Sequence, residues 1–229
     1  QIDSQERVSE RKRQHKPTQT QLLSAQEEFA HDIASMSRTS TPAPARSLNT
    51  TASIDLRFDV PLVPQQTGYS CWAAGCAMLV GWRDKISIEP QEIARATGGW
   101  AAYANGLNPE DASVFPVWGM TAESAQCYTV EGFYNLLNTY GPLWVASAEP
   151  GAHIRVVTGM SGDGSPDGTT LYVNDPWEAN MTAFRLPNAG STTSETYTQF
   201  VRKQEELARR ELNNSGAIYV AHIGAMRQR

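Results

Sequence analysis

The chain has 229 residues and a mass of 25.1 kDa, carries a formal charge of −5 and is 40% hydrophobic. Its three cysteines are too few, and odd in number, for a disulfide scaffold; no apolar run approaches the roughly 18 residues that span a bilayer, and no apolar h-region sits near the start. A pI near 5.4 gives no general attraction to nucleic acid or anionic lipid, which leaves a soluble globular domain with additional chain in front of it.

That additional chain shows as a shift in composition. Residues 1–57 hold eight Lys/Arg and seven Asp/Glu, a balance of +1, which leaves 11 against 17, or −6, for residues 58–229. All six tryptophans lie in the second part. The run from Arg38 through Pro42 and Pro44 to Ser47 cannot bury enough apolar surface to offset its ordering entropy. Residues 1–57 therefore read as a polar, partly disordered tether, or as the remnant of a connection to a larger delivery protein. Leu22, Phe29 and Ile33 allow a short helix within residues 20–36. An opening Gln1 in place of Met reads as a fragment or a processed product.

Residues 58–229 read as one domain, beginning with an extended segment over Phe58–Val63. A helix is predicted from Cys71 to Arg83, with Trp72, Cys76, Leu79 and Val80 as apolar anchors and Ser70 in the N-cap position. A second runs from Ser87 to Thr97, with Pro90 in its first turn and Gly98-Gly99 after it. A third spans Thr129–Tyr140, where Val130, Phe133, Leu136, Leu137 and Tyr140 follow a 3.6-residue period and Gly141-Pro142 stops it. The period then changes. Leu143–Ala148, His153–Met160 and Thr170–Asn174 suit strands, and the turn-rich Gly162–Gly168 suits the hairpin loop between the last two. Met181–Leu186 is predicted as a further strand, Glu195–Leu212 as a charged helix and Ala217–Ile223 as a final strand. Helices first and an antiparallel sheet afterwards indicate an α+β domain.

Chemistry concentrates at element ends. A cysteine opening a helix faces unpaired N–H groups and the positive end of the macrodipole, which favours the nucleophilic thiolate; a backbone N–H there can also hold an oxyanion. The alternative for Cys71 is a small buried hydrophobe. Of four histidines, His15 and His31 lie in the tether, His222 reads as a packed core residue, and His153 opens a strand. Asn174 and Asp175 end the next strand, and either type can orient a histidine, although Asn-Asp-Pro is also turn chemistry. Cys71 and Cys76 point apart on one helix, no His/Cys spacing suggests zinc, and Gly162–Gly168 lacks a full phosphate- or calcium-loop pattern. Tyr69, Trp100, Trp118 and Trp177 are candidates either for a cleft lining or for the core.

Together these segments resemble the papain-like cysteine peptidases. In that family a Gln lies six residues before the catalytic Cys, which opens the central helix and is commonly followed by Trp; Gln65 and Cys71-Trp72-Ala73 have this arrangement. A strand ending in Asp175-Pro176 is similar to the bacterial branch that includes bacteriocin-leader peptidases and the secreted effector peptidases of plant pathogens. The resemblance implies a papain-like α+β fold in which the nucleophile-bearing helix packs on an antiparallel sheet. It implies Cys71 as nucleophile, His153 as base, Asp175 as the orienting group with Asn174 second, and Gln65 as oxyanion donor with Gln66 as a wrongly spaced fallback. No metal or organic cofactor is implied.

The reaction implied is peptide hydrolysis through a thioester acyl-enzyme, with a preference for glycine near the cut. The partners implied are a protein substrate in a target cell and a cognate immunity protein or inhibitor, with no nucleic acid and no membrane span. A free catalytic thiol suits a reducing compartment, hence a delivered effector or toxin domain acting in the target cell's cytoplasm. Leader peptidases precede membrane transporters, which fits this chain poorly. A deamidase or acyltransferase using the same thioester, and a non-catalytic binding module on the same fold, are the alternatives.

Overall fold

Ten consecutive buried residues, Trp72 to Gly81, make the helix α1 (Cys71–Asp84) a core element covered on all sides. This computed structural model describes residues 53–148, 151–210 and 219–224. Nearly all of the expected tether, its helix over 20–36 included, lies outside the described residues, as do the C-terminal end of the charged helix predicted to Leu212 and the start of the final strand predicted from Ala217.

Small residues let α1 lie close on the sheet. At Gly75 a Cβ would stand 2.7 Å from Trp144 Cδ1 and 3.0 Å from Ile154 Cγ2, so the helix approaches the strands along a side with no side chain. Two short helices follow. α2 (Pro90–Thr97) has proline in its first turn and ends on Gly98, whose φ of 69° puts it in the left-handed region. α3 (Trp100–Asn105) begins immediately afterwards, where Gly98-Gly99 alone reads as a stop. Two single 3₁₀ turns, Ala112–Val114 and Pro116–Trp118, lead into β2 (Met120–Ala122), and α4 (Val130–Tyr140) starts where Thr129 Oγ1 accepts from Gly132 N at 3.1 Å.

Among the described residues the strands form one seven-stranded antiparallel sheet: β1 (Ile54–Arg57), β2, β3 (Leu143–Ser147), β4 (His153–Gly162), β5 (Thr169–Asp175), β6 (Ser191–Thr196) and β7 (Val220–Ile223). The order is β2-β7-β3-β4-β5-β6. The long β4 pairs its first half with β3 and its second half with β1, and β5 runs along its other edge. β1 can come this close because position 159 is glycine, where a Cβ would collide with the Leu56 carbonyl oxygen. Ile54–Arg57, polar by the company they keep in the sequence, thus contribute a strand of the sheet.

Alternation along the strands divides the core in two. Trp144, Ala146, Ile154, Val156 and Ala221 pack with α1 and α2, whereas Leu143, Val145, Val157, Val173 and Val220 pack on the opposite side with Phe133 of α4 and with Tyr197 and Phe200 of α5 (Tyr197–Arg210). The element order, helices followed by an antiparallel sheet, is the α+β arrangement read from the sequence. Two segments differ from the reading. Met181–Leu186 is a loop, with Leu186 66% exposed, and the strand is instead Ser191–Thr196. β6 is an edge strand of Ser, Thr and Glu, so it shows no apolar alternation. Glu195 on it forms an ion pair at 2.6 Å with the buried Arg155 of β4.

Candidate active site

Cys71 is the first residue of α1, and the loop before it is tied by Ser70. That serine does not cap the helix: its Oγ accepts instead from Gln66 N at 3.1 Å and Thr67 N at 2.9 Å. The first-turn amides of α1 therefore lack this N-cap bond, and the bend that delivers the chain to Cys71 is braced. Cys71 is a free, half-buried thiol. Cys76, one turn on, is fully buried, and burial pushes its thiol far up, so it stays protonated. Cys127 is free and exposed.

His153 opens β4 and is 3% exposed. Its Nε2 lies 2.7 Å from Asp175 Oδ1 at the end of β5. The Cys71 side chain lies close enough to act on the same ring, and both residues line one cleft. Burial by itself disfavours the charged imidazolium. The hydrogen bonds to Asp175 and Cys71, and the charges on both, outweigh burial and push the histidine up to about 9. Trp177 completes this corner: its N–H donates to Asp175 Oδ1 at 2.8 Å, and its ring stands edge-on to His153 with centroids 6.0 Å apart. The indole is itself fixed by donation from Nε1 to Met181 O at 2.8 Å.

The other candidates separate cleanly. Asn174, one residue before Asp175, projects to the opposite side of β5, where Nδ2 donates to Val60 O and Oδ1 accepts from Thr192 Oγ1. Gln66 is engaged with Glu89 and the Tyr103 hydroxyl. His222 is buried as expected of a core residue, between Glu123 Oε1 on Nε2 and the Ile223 carbonyl on Nδ1, and stacked on Tyr140. Gln65 is 1% exposed; its Nε2 donates to Thr67 O at 2.8 Å, its Oε1 is buried without a partner, and its backbone N–H donates to Pro176 O at 3.0 Å. This residue is thus fastened between the loop before Cys71 and the turn after Asp175.

Cys71 and His153 open onto a cleft of about 760 Å³, whose walls include Tyr69, Trp72, Leu107, Trp144, Ile154 and Trp177. Of the aromatic candidates, Tyr69 and Trp177 line it; Trp100 is half-exposed beside Tyr103, and Trp118 packs against the α1 side of the core. In the sequence Trp144 is legible only as an apolar strand residue, and Trp72 as an apolar anchor and the residue that follows Cys71. They meet at the cleft through donation from Trp144 Nε1 to Trp72 O at 3.2 Å. Among the described residues, no group of three or more His, Cys, Asp or Glu side chains converges as a metal site would. The arrangement can do nucleophilic chemistry: a thiol beside an imidazole, a carboxylate on that ring's Nε2, and an apolar cleft next to them.

No curated protein matches the chain. A family model does, that of "Papain-like cysteine protease AvrRpt2", over residues 53–189. The matched span runs from β1 to just short of β6 and contains Gln65, Cys71, His153 and Asp175. It covers more than half of the sequence, and the chain belongs to this family of papain-like cysteine proteases, which makes it a hydrolase of peptide bonds.

Proposed function

We propose that Cys71, His153 and Asp175 are the catalytic residues of this peptidase and that hydrolysis proceeds through a thioester on Cys71. The observation that carries the reading is the position of His153, with Asp175 Oδ1 at 2.7 Å from its Nε2 and Cys71 beside it on the wall of the same cleft. In the proposed reaction the Cys71 sulfur bonds to the scissile carbonyl carbon, and the carbonyl oxygen takes the negative charge. The Cys71 backbone N–H and the Gln65 amide hold that oxygen; the Gln65 NH₂ has a second hydrogen beyond the one given to Thr67 O. His153 then gives its proton to the departing nitrogen as the C–N bond breaks. Water attacks the thioester, His153 takes a proton back, and the acid product leaves Cys71. Asp175 holds the ring in the required orientation throughout.

The finer reading is an effector peptidase delivered to the cytoplasm of a target cell, with glycine next to the cut and, in the toxin setting, an immunity protein as partner. It is supported by membership of the family and by the similarity of the Asp175-Pro176 strand end to the bacterial branch. The polar segment ahead of the sheet would serve as its tether, supported by its composition. No helix among the described residues is long and apolar enough to cross a membrane. The experiment compares a lysate treated with the wild type and with Cys71→Ala, reading new N-termini by mass spectrometry. Cuts made by the wild type alone, clustered at glycine, are expected. Identical profiles from two folded proteins would remove Cys71 from its role, and scattered unselective cuts would remove the glycine preference.

A further inference from the structure

The catalytic reading above requires two separate loops to be held in register: the one that delivers Gln65 and Cys71, and the one that follows Asp175. One side chain outside the proposed triad joins them. Asn188, in the loop between Trp177 and β6, donates from Nδ2 to Gln65 O at 2.9 Å and to Pro176 O at 2.8 Å. Its Oδ1 accepts from Glu178 N at 2.9 Å and Gly190 N at 3.1 Å. Both N–H donors and both lone pairs of the amide are thus used, and each faces a backbone group of opposite kind. Turning the amide over would set oxygen against two carbonyls and NH₂ against two N–H groups, so the orientation is fixed by all four contacts.

The contact bears directly on Gln65. That residue's N–H already donates to Pro176 O, so its peptide groups are gripped on both sides, by the turn after Asp175 and by Asn188. Gly190 completes the device. Its φ of 66° lies in the left-handed region, and a Cβ there would stand 3.0 Å from Asp175 O, so the chain folds tightly enough to return Asn188 to the site only because position 190 is glycine.

We infer that Asn188 is a positioning residue, which sets Gln65 for oxyanion binding by locking its backbone to the Asp175-Pro176 turn. It touches no substrate; it acts through Gln65, and the inference rests on the catalytic reading proposed above.

The test separates a reaction that needs an oxyanion from one that does not, in a Cys127→Ser background so that the exposed thiol is silent. In the first, p-nitrophenyl acetate acylates Cys71: the sulfur–carbonyl bond forms, the ester C–O bond breaks, and p-nitrophenolate leaves as a measurable burst. In the second, iodoacetamide alkylates Cys71 by displacement of iodide, with no oxyanion. Asn188→Ala is expected to slow the burst by about 10-fold to 10²-fold while leaving alkylation at pH 7 within about 2-fold. The same split is expected of Gln65→Ala, and in the double variant Asn188→Ala should add little, because both act on one donor. Asn188→Asp, of the same shape and keeping both acceptor contacts, carries the comparison if the alanine variant fails to fold; its second oxygen would repel the two carbonyls and should give the same split. Equal losses in both reactions, losses that multiply with Gln65→Ala, or no loss at all would overturn the inference. A wild type with no burst dependent on Cys71 would instead overturn the catalytic reading, and this inference with it.

Discussion

His153 holds its charge in a place where burial works against it. A histidine 3% exposed would ordinarily be driven toward neutrality, yet contacts with Asp175 and Cys71 push it up to about 9. The consequence for pH has a definite sign. The imidazolium, which is the proton donor to the leaving amine in the proposed reaction, persists through neutral pH and is lost as pH rises through about 9, so kcat/KM should fall on that alkaline side. In Asp175→Ala one of the raising contacts is gone while burial stays, so the fall should move to lower pH, and activity at pH 8 should drop by roughly 10²-fold. The pH profile of kcat/KM for peptide cleavage, measured for the wild type and for Asp175→Ala, checks both; an alkaline fall left in place would show that Asp175 does not tune the ring. Cys71, His153 and Asp175 stood out as candidates because each is a reactive residue type near the start or end of an element, although type and position alone left Asp175 and Asn174 open and the resemblance chose between them. Asn188 did not, because its partners are backbone N–H and C=O groups, which every residue carries and no sequence pattern displays.

Elements were legible in proportion to their apolar patterning. α1, α4, β3, β4 and β5 each present a long apolar face or run, and each was read within a residue or two of its bounds. β6 presents Ser, Thr and Glu at the sheet edge, so the neighbouring Met181–Leu186, the more apolar stretch, drew the strand prediction in its place. Met181 is indeed buried, but its carbonyl serves Trp177 and the segment joins no sheet. The packing of α1 on β3 and β4 is the element contact on which the site depends, since it sets Cys71 against His153. Gly75→Ala would bring a methyl against Trp144, a side chain 2% exposed and pinned by its bond to Trp72 O. Alanine gains about 1 kcal/mol of helix propensity over glycine, whereas overpacking a rigid neighbour costs about 1–3 kcal/mol. The partner cannot swing away, so the second effect should win, with a net loss of up to about 2 kcal/mol in denaturant unfolding and a drop in peptidase rate larger than the stability change explains. Unchanged stability and rate would mean that α1 does not bear on Trp144 as tightly as described.

At the scale of the whole molecule, the cleft is predominantly apolar and nearly free of charge. Apart from His153, no Asp, Glu, Lys or Arg side chain is found among its described walls, and Trp72, Trp144, Ile154, Leu107 and Leu207 give it an apolar lining. A charged substrate side chain entering it away from His153 would lose its hydration without a counter-charge. Peptides that keep glycine at the cut and differ only in the adjoining residue should therefore be cleaved at least about 10-fold faster with Leu than with Lys or Glu, as read by competition and mass spectrometry. Equal rates would mean that the substrate does not use this cleft. Leu207 and Tyr219 of the cleft come from beyond the segment matched by the family model, so the C-terminal part of the chain shapes the cleft as well as supporting the fold.

The position of β7 adds a constraint in time. This last described strand lies between β2 and β3, places Val220 in one core and Ala221 in the other, and is the sheet neighbour of β2. During synthesis the sheet therefore cannot close until residues 220–223 have cleared the ribosome. Every strand and helix that carries the proposed site emerges earlier, but without the strand that joins β2 to β3. A stalled or prematurely terminated chain would leave a cell with an unfolded thiol rather than a working protease.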